Sequence, residues 1–315
     1  MIIAKAPLRL PIAGGGTDVD SFYTKEPGFW ISGTIDKSIY VVVKPRTEKN
    51  LRVAYSALEY VEHPSELEHP IIREALLSRD LTEHIEVATF ADLPARIGLG
   101  SSGCFTVALL QALAHYTEKY HISLSKLAED AYQIEHDKLK RPIGKQDQYA
   151  SAFGSVRGYH IQQNGNVVVD QPFKLERIKE LESWLLLFYV NRRDQPMTEV
   201  MNKSSHEDME RILSIAWNVH RCIEDGDFYS LGLYMSQHWE IKRKVPCNAP
   251  FDNLIQLGRD LGAEAGKLVG AGGGGCLLFV CEPIKQESVI KGMCEKGLIH
   301  IPFKFANKGS EVKNL

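Results

Sequence analysis

The stretch from Pro94 to Thr106 reads Pro-Ala-Arg-Ile-Gly-Leu-Gly-Ser-Ser-Gly-Cys-Phe-Thr. It joins a strand-like segment, Glu86 to Phe90, to an apolar one in which Phe105, Leu109, Ala112, Leu113 and Tyr116 recur at helical spacing. Gly98, Gly100, Ser101, Ser102 and Gly103 therefore fall just before or at a helix N-terminus. A helix start offers unpaired N–H groups and the positive end of its dipole, and glycines let the backbone approach a bulky anion, so this is a place to hold phosphate. A serine there can ligate the Mg2+ of a nucleotide. Gly98, Gly100 and Gly103 also fit the dinucleotide pattern Gly-x-Gly-x-x-Gly, but the second strand that such a unit needs is missing: His121 to Ser125 and another helical pattern follow. A Gly/Ser turn that merely caps a core helix is the alternative.

Two carboxylates downstream bear on that loop. In the helical pattern Lys126 to Leu139, Leu127, Ala131, Glu135 and Leu139 share one face, so Glu135 stands in an apolar stripe and must either pair with an Arg or Lys or ligate Mg2+. Asp147 sits at the start of a short helix that Gly154 ends, close in sequence to Lys145 and Glu135; as an ordinary first-turn carboxylate it would be worth roughly 0.3–1 kcal/mol to that helix. Near the N-terminus, Arg9 precedes the loop Gly14-Gly15-Gly16-Thr17-Asp18. Asp18 there can accept hydrogen bonds from substrate hydroxyls and Arg9 can neutralise a phosphate, or Asp18 caps the turn Val19 to Tyr23 with Arg9 as its surface partner. Arg192 and Arg193, after the strand Trp184 to Val190, suit either a phosphate or solvent. A third loop, Gly270 to Gly275, holds five glycines in six positions. It leads into a strand, and Leu268 follows Lys267 where a Walker motif needs Ser or Thr, so close approach to a ligand or to another glycine loop is its expected use.

The elements that carry these residues read as strands at Ile2 to Leu10, Trp30 to Ser32, Ser38 to Val43 and Leu51 to Tyr55, a helix at Ser65 to Ser78, and the strand before the phosphate loop. A hairpin follows around Asn164-Gly165, with Tyr159 to Gln163 and Asn166 to Asp170 as its arms. Pro172 marks the expected domain boundary, giving 1–171 and 172–315. The second half expects long helices over Glu199 to Glu224 and Phe228 to Arg243, another over Phe251 to Leu261, a strand Leu277 to Val280, a helix Gln286 to Lys296 and a strand His300 to Phe305. Strands collected before helices predict an α+β architecture.

At 315 residues the chain suits one large or two closely packed domains. A net charge of −3 gives no reason to expect nucleic acid or an anionic membrane as partner, so anions must be held by local groups. Charge and proline interrupt the N-terminal apolar residues, so no signal peptide is expected, and no apolar run is long enough to span a bilayer. Six cysteines without a Cys-x-x-Cys pair fit reduced thiols and a cytoplasmic location.

Three glycine loops at the start, middle and end of the chain, with Gly-Leu-Gly-Ser-Ser in the middle one, resemble the GHMP kinase superfamily over nearly the whole length. Ala-Gly-Gly-Gly-Thr-Asp (13–18), Gly-Lys-Gln-Asp-Gln-Tyr-Ala (144–150) and Lys-Leu-Val-Gly-Ala-Gly-Gly-Gly-Gly (267–275) are most similar to D-glycero-D-manno-heptose 7-phosphate kinases. The resemblance implies a two-domain fold with a glycine-rich phosphate loop leading into a helix, and transfer of phosphoryl from MgATP to the anomeric hydroxyl of a heptose 7-phosphate. It implies that Gly98, Leu99, Gly100, Ser101, Ser102 and Gly103 wrap the nucleotide phosphates, that Ser101 or Ser102 with Glu135 holds Mg2+, and that Asp147 and Arg9 are catalytic. Gly15, Gly16, Thr17 and Asp18 would bind sugar, Gly272 and Gly273 would close the site, and Lys145 and Arg193 would meet the sugar phosphate. A kinase of an unphosphorylated sugar such as fucose, and a catalytically silent sensor of sugar and nucleotide, are the competing expectations.

Overall fold

Residues Ile2–Ala13 form strand β1, whose later half is buried on both faces and so carries no polar alternation. Its partner β2 runs without interruption from Gly28 to Pro45 and pairs antiparallel with β1 along nearly its full length. The two separate strands expected from sequence are thus one. The residues between them, Gly33 to Lys37, read as a break, but β1 continues opposite them: Pro7 pairs with Ser38 and Arg9 with Thr34, so β2 bulges there without ending, and a separate register shift falls at Pro11/Ala13. The computed structural model describes residues 1–117, 122–191 and 205–315.

Around this pair, β3 (Leu51–Ala54), β4 (Leu58–Val61), β5 (Ile85–Ala91), β6 (Val156–Ile161), β7 (Val167–Val169) and β12 (Glu311–Asn314) complete an eight-stranded sheet. Its order is β12-β1-β2-β5-β3-β4, with β6 on the first half of β2 and β7 on β6. A four-stranded antiparallel sheet, β11-β8-β10-β9, is built from Ile299–His300, Leu185–Asn191, Gly275–Val280 and Ala265–Leu268. The first sheet is mixed, through the parallel pair β3–β5, the second is antiparallel, and helices pack on both, which is the α+β arrangement the sequence predicted. The expected strand from His300 stops early because Pro302 has no N–H for the ladder. The chain instead touches β2 through an Ile35–Phe305 bridge and returns as β12 to the free edge of β1.

The helix Ser101–Thr117 is buried on most of its surface because it lies between β1 and β2 on one side and the helices Leu124–Gln133 and Gln146–Phe153 on the other. The expected helix over 126–139 begins at Leu124, with the Ser123 hydroxyl accepting from Lys126 N–H, and its last turn widens so that Leu139 N–H bonds the Ile134 carbonyl at 3.1 Å. That π-type turn holds Glu135. Helices His206–Asp225 and Phe228–Lys242 form an antiparallel pair turned by Gly226, the first packing on β2 and the second on β9. The part of the expected helix before residue 205 lies outside the described residues. The proposed boundary near residue 171 falls between β7 and the helix Leu175–Trp184.

Candidate active site

Gly98 and Gly100 hold φ of +86° and +70°, the left-handed region open mainly to glycine, and turn the chain abruptly into the helix at Ser101. The third glycine loop packs directly on them: a Cβ at Gly98 would lie 2.5 Å from the Val269 carbonyl oxygen, and one at Gly270 would lie 2.7 Å from the Gly98 carbonyl oxygen. The expected close approach is therefore between two glycine loops. The start of the 101–117 helix, whose first N–H groups have no intrahelical partner, lines a cavity of about 740 Å3 together with Gly98 and Gly100: Ser101, Ser102 and Gly103 all border it. Leu99 is fully buried, and it contributes through its carbonyl, which accepts from Arg9 N–H at 3.1 Å.

A second cavity, of about 300 Å3, is lined by Arg9, Pro11 and Ala13 of β1. Arg9, Ile143, Asp147, Gly270 and Ala271 line both spaces, so the two meet at Arg9 and Asp147. Arg9 is almost fully buried; its Nε donates to Asp147 Oδ1 at 2.6 Å and its Nη1 donates to the Gly98 carbonyl at 2.6 Å. Asp147 is the second residue of its helix and its other oxygen has no side-chain partner among the described residues. A carboxylate held on one oxygen and free on the other, at the junction of two pockets, can take a proton or orient a hydroxyl.

Glu135 is buried beside the phosphate loop. Thr106 Oγ1 and Gln148 Nε2 donate to its Oε1, each at 3.1 Å; Arg141 Nη1 donates to its Oε2 at 2.8 Å and to the Ser102 hydroxyl at 2.8 Å, and that hydroxyl in turn donates to Oε2. Burial pushes the Glu135 carboxyl up, while the hydrogen bond from Ser102 and the Arg141 charge pull it back. Of the two expectations for Glu135, the structure shows the ion pair. Ser101, Ser102 and Glu135 line the same cavity, and their oxygens are hard donors of the kind Mg2+ takes.

Asp18 is buried at the edge of the smaller cavity, where both oxygens accept main-chain bonds at 2.9 Å, Oδ1 from Gly16 N–H and Oδ2 from Gln146 N–H. It thereby ties the first glycine loop to the helix that carries Asp147. Burial raises its carboxyl against those two bonds. Arg9 is thus not its partner, and the short helix after it, Asp20–Tyr23, is preceded by Val19. Gly15 and Gly16 line the cavity, whereas Thr17 is wholly buried and spends its hydroxyl on the carbonyls of Gly14 and Phe29 at 2.9 and 3.0 Å.

Lys145 points away from both cavities. Its ammonium is clamped by Glu129 at 2.8 Å and bonds the Gly165 carbonyl at 2.8 Å, so the meeting with a sugar phosphate implied for it has no support in its placement. Arg193 lies outside the described residues. Gly272 and Gly273 stand behind the wall; Gly273 N–H donates to Asn248 Oδ1 at 2.8 Å, and it is Asn248 that lines the smaller cavity. Sequence reasoning missed Arg141, Asn248, His238, Lys242 and Lys267. The signal was available for the last three: His238 and Lys242 are four apart on the buried side of a helix, and Lys267 stands in a strand whose residues are all buried. That is the anomaly that singled out Glu135.

The model for the GHMP kinases N terminal domain matches residues 67–155 and that for the GHMP kinases C terminal matches residues 217–298, together more than half the chain. The chain belongs to the GHMP kinase family and is an ATP-dependent phosphotransferase. Among curated proteins it is 27% identical over 336 residues to a D-glycero-alpha-D-manno-heptose 7-phosphate kinase of Campylobacter jejuni, covering 98% of this chain and 97% of that one. It is 25% identical to a mevalonate kinase of Pyrococcus abyssi, covering 87% of this chain and 78% of that one. Among solved structures, a D-glycero-D-manno-heptose 1-phosphate kinase from Bacteroides thetaiotaomicron superposes with a TM-score of 0.84 at 26% identity, covering 100% of this chain and 99% of that one.

Proposed function

We propose that this kinase acts on a sugar phosphate, transferring the γ-phosphoryl of MgATP to the anomeric hydroxyl of D-glycero-D-manno-heptose 7-phosphate to give the 1,7-bisphosphate, on the way to a nucleotide-activated heptose. The observation that carries the reaction is the Arg9–Asp147 pair at the meeting point of the two cavities. The choice of heptose is supported by similarity to the Campylobacter enzyme over almost the full length of both chains. Nothing in this reading needs a nucleic acid or a membrane, and among the described residues no helix is long and apolar enough to cross one. The cytoplasm is the proposed location.

In the mechanism, the larger cavity takes the nucleotide, with its phosphates against the N–H groups that open the 101–117 helix and against the glycine backbone. Ser101 or Ser102 and Glu135 would hold Mg2+, which supplies neutralisation of charge on the phosphate oxygens. The acceptor occupies the smaller cavity with its reacting hydroxyl at Asp147. Asp147 receives or orients that proton, and the Arg9 guanidinium, which fixes the Asp147 carboxylate, also faces both cavities and can meet the charge of the phosphoryl in flight. Positioning and charge compensation are most of what phosphoryl transfer asks of a protein.

The test is ADP release with MgATP across heptose 7-phosphate, mannose 6-phosphate, fucose, galactose, mevalonate and no acceptor. Turnover confined to phosphorylated sugars is expected. Turnover with fucose, galactose or mevalonate and none with a sugar phosphate overturns the acceptor, and silence throughout favours a sensor of sugar and nucleotide.

A further inference from the structure

Among the described residues, the buried Arg9 and Lys145 meet carboxylates, whereas the buried Lys267 and the half-buried Lys242 do not. Arg9 has Asp147 and Lys145 has Glu129. Lys242 and Lys267, both lining the smaller cavity, have no carboxylate partner among the described residues. Lys242 donates to the carbonyls of Leu268 and Gly270 at 3.0 and 2.6 Å, and Lys267, only 2% exposed, donates to the carbonyl of Ile12. An ammonium has three N–H groups, so one on Lys242 and two on Lys267 remain for something else. The basic lining residues Arg9, Lys25, Lys242 and Lys267 face two carboxylates, Asp18 and Asp147. Both oxygens of Asp18 already accept main-chain bonds and Asp147 holds Arg9. A lysine drawn out of water without a carboxylate is costly to charge, and a cavity lined by two such lysines close enough to oppose each other's charge is suited to receive negative charge.

We propose that Lys242 and Lys267 form an oxyanion site in the smaller cavity, which takes a phosphate or carboxylate group carried by the acceptor. It rests on the kinase reading in taking this cavity as the acceptor's, and it supplies the contact that Lys145 does not make. The charge balance of the cavity agrees. Burial first, and then the Arg9 charge, lowers Lys242 to about 7, and burial with Lys242 and Arg9 lowers Lys267 well below its ordinary range. The groups that face Lys242 are Arg9 on β1, Lys267 on β9, Cys247 beyond the helix and, one turn back, His238, whose own affinity for a proton is lowered by burial and by both lysines. An oxyanion reverses that pressure, so its binding draws protons in from solvent.

The experiment is calorimetric titration of the wild type, Lys242→Met, Lys242→Arg and Lys267→Met with mannose 6-phosphate, mannose, mevalonate and inorganic phosphate, at pH 8 in two buffers of different ionisation heat. The wild type should bind mannose 6-phosphate roughly tenfold or more tightly than mannose, with proton uptake. Either Met variant should shrink that difference to about threefold or less and reduce the uptake, Lys242→Arg should keep most of it, and nucleotide affinity should not move. The site is overturned if the wild type does not discriminate, if the difference survives in both Met variants, or if mannose and mannose 6-phosphate weaken equally. That last pattern, with turnover falling for every acceptor, would assign the lysines to the phosphoryl group in transit. Lysine-dependent binding of mevalonate, with no turnover of any sugar phosphate, would keep the oxyanion site and reject the heptose-phosphate reading; sugar-phosphate turnover with discrimination unchanged in both Met variants would do the reverse. Should Lys242→Met not fold, Lys267→Met and Lys242→Gln carry the same comparison.

Discussion

Replacing Arg141 by Ala removes the one cation that, among the described residues, is bonded to the Glu135 carboxylate, which is 1% exposed. Breaking a fully buried ion pair typically costs about 3–5 kcal/mol, because the surviving charge is left uncompensated. Here the Arg141 side chain is 35% exposed, and Ser102, Thr106 and Gln148 still donate to Glu135, so the expected loss is smaller, about 1–3 kcal/mol. The loss should depend on pH in one direction. Burial raises the Glu135 carboxyl in the folded protein above its unfolded value, so this group's contribution is complete below the unfolded value and is lost as pH rises through the folded one. Without Arg141 the folded value climbs further, and the variant departs from wild type most above the carboxylate range. Urea unfolding followed by tryptophan fluorescence at pH 5 and pH 8 reads this out: the deficit should be largest at pH 8 and should narrow at pH 5. Arg141→Lys should recover part of it. A deficit equal at both pH values, or wild-type midpoints throughout, would refute the reasoning that Arg141 matters as the counter-charge of a buried Glu135.

Asp147→Ala should lower turnover by roughly 10²–10⁴-fold while a fluorescent nucleotide still binds; unchanged ADP release would remove Asp147 from the reaction. Gly98→Ala sets a Cβ 2.5 Å from the Val269 carbonyl oxygen at a φ of +86°, so the melting temperature and the turnover should fall together; a stable, active variant would mean that the two glycine loops need not touch. Asp18→Asn turns one acceptor into a donor against a main-chain N–H and should cost about 1–3 kcal/mol, with KM for the acceptor rising more than KM for ATP. Equal rises in both would leave Asp18 as a purely structural tie.

What the sequence alone decided is local. Gly98 and Gly100 ahead of an apolar repeat specify a turn into a helix, because left-handed φ and helical periodicity are settled within a few residues, and the structure starts its helix at Ser101. Glu135 in an apolar stripe was legible as a charge in need of a partner, since burying a carboxylate has the same cost wherever the partner comes from. Asp147 in the first turn of a short helix ending at Gly154 was legible for the same local reason.

The tertiary structure decided who meets whom. Arg9 and Asp147 are 138 residues apart and join only because β1 runs beside the helix Gln146–Phe153. Lys145, next but one to Asp147, looked like a site residue by proximity, yet it turns the other way to Glu129, while Lys242 and Lys267 reach the cavity from a distant helix and strand. The single long β2 and the final strand β12 exist because β1 offers them an edge, which no pattern inside 28–45 or 311–314 announces. Backbone conformation is fixed mainly by neighbours in sequence; the partner of a side chain is fixed by which elements pack, and that choice belongs to contacts between residues far apart in the chain.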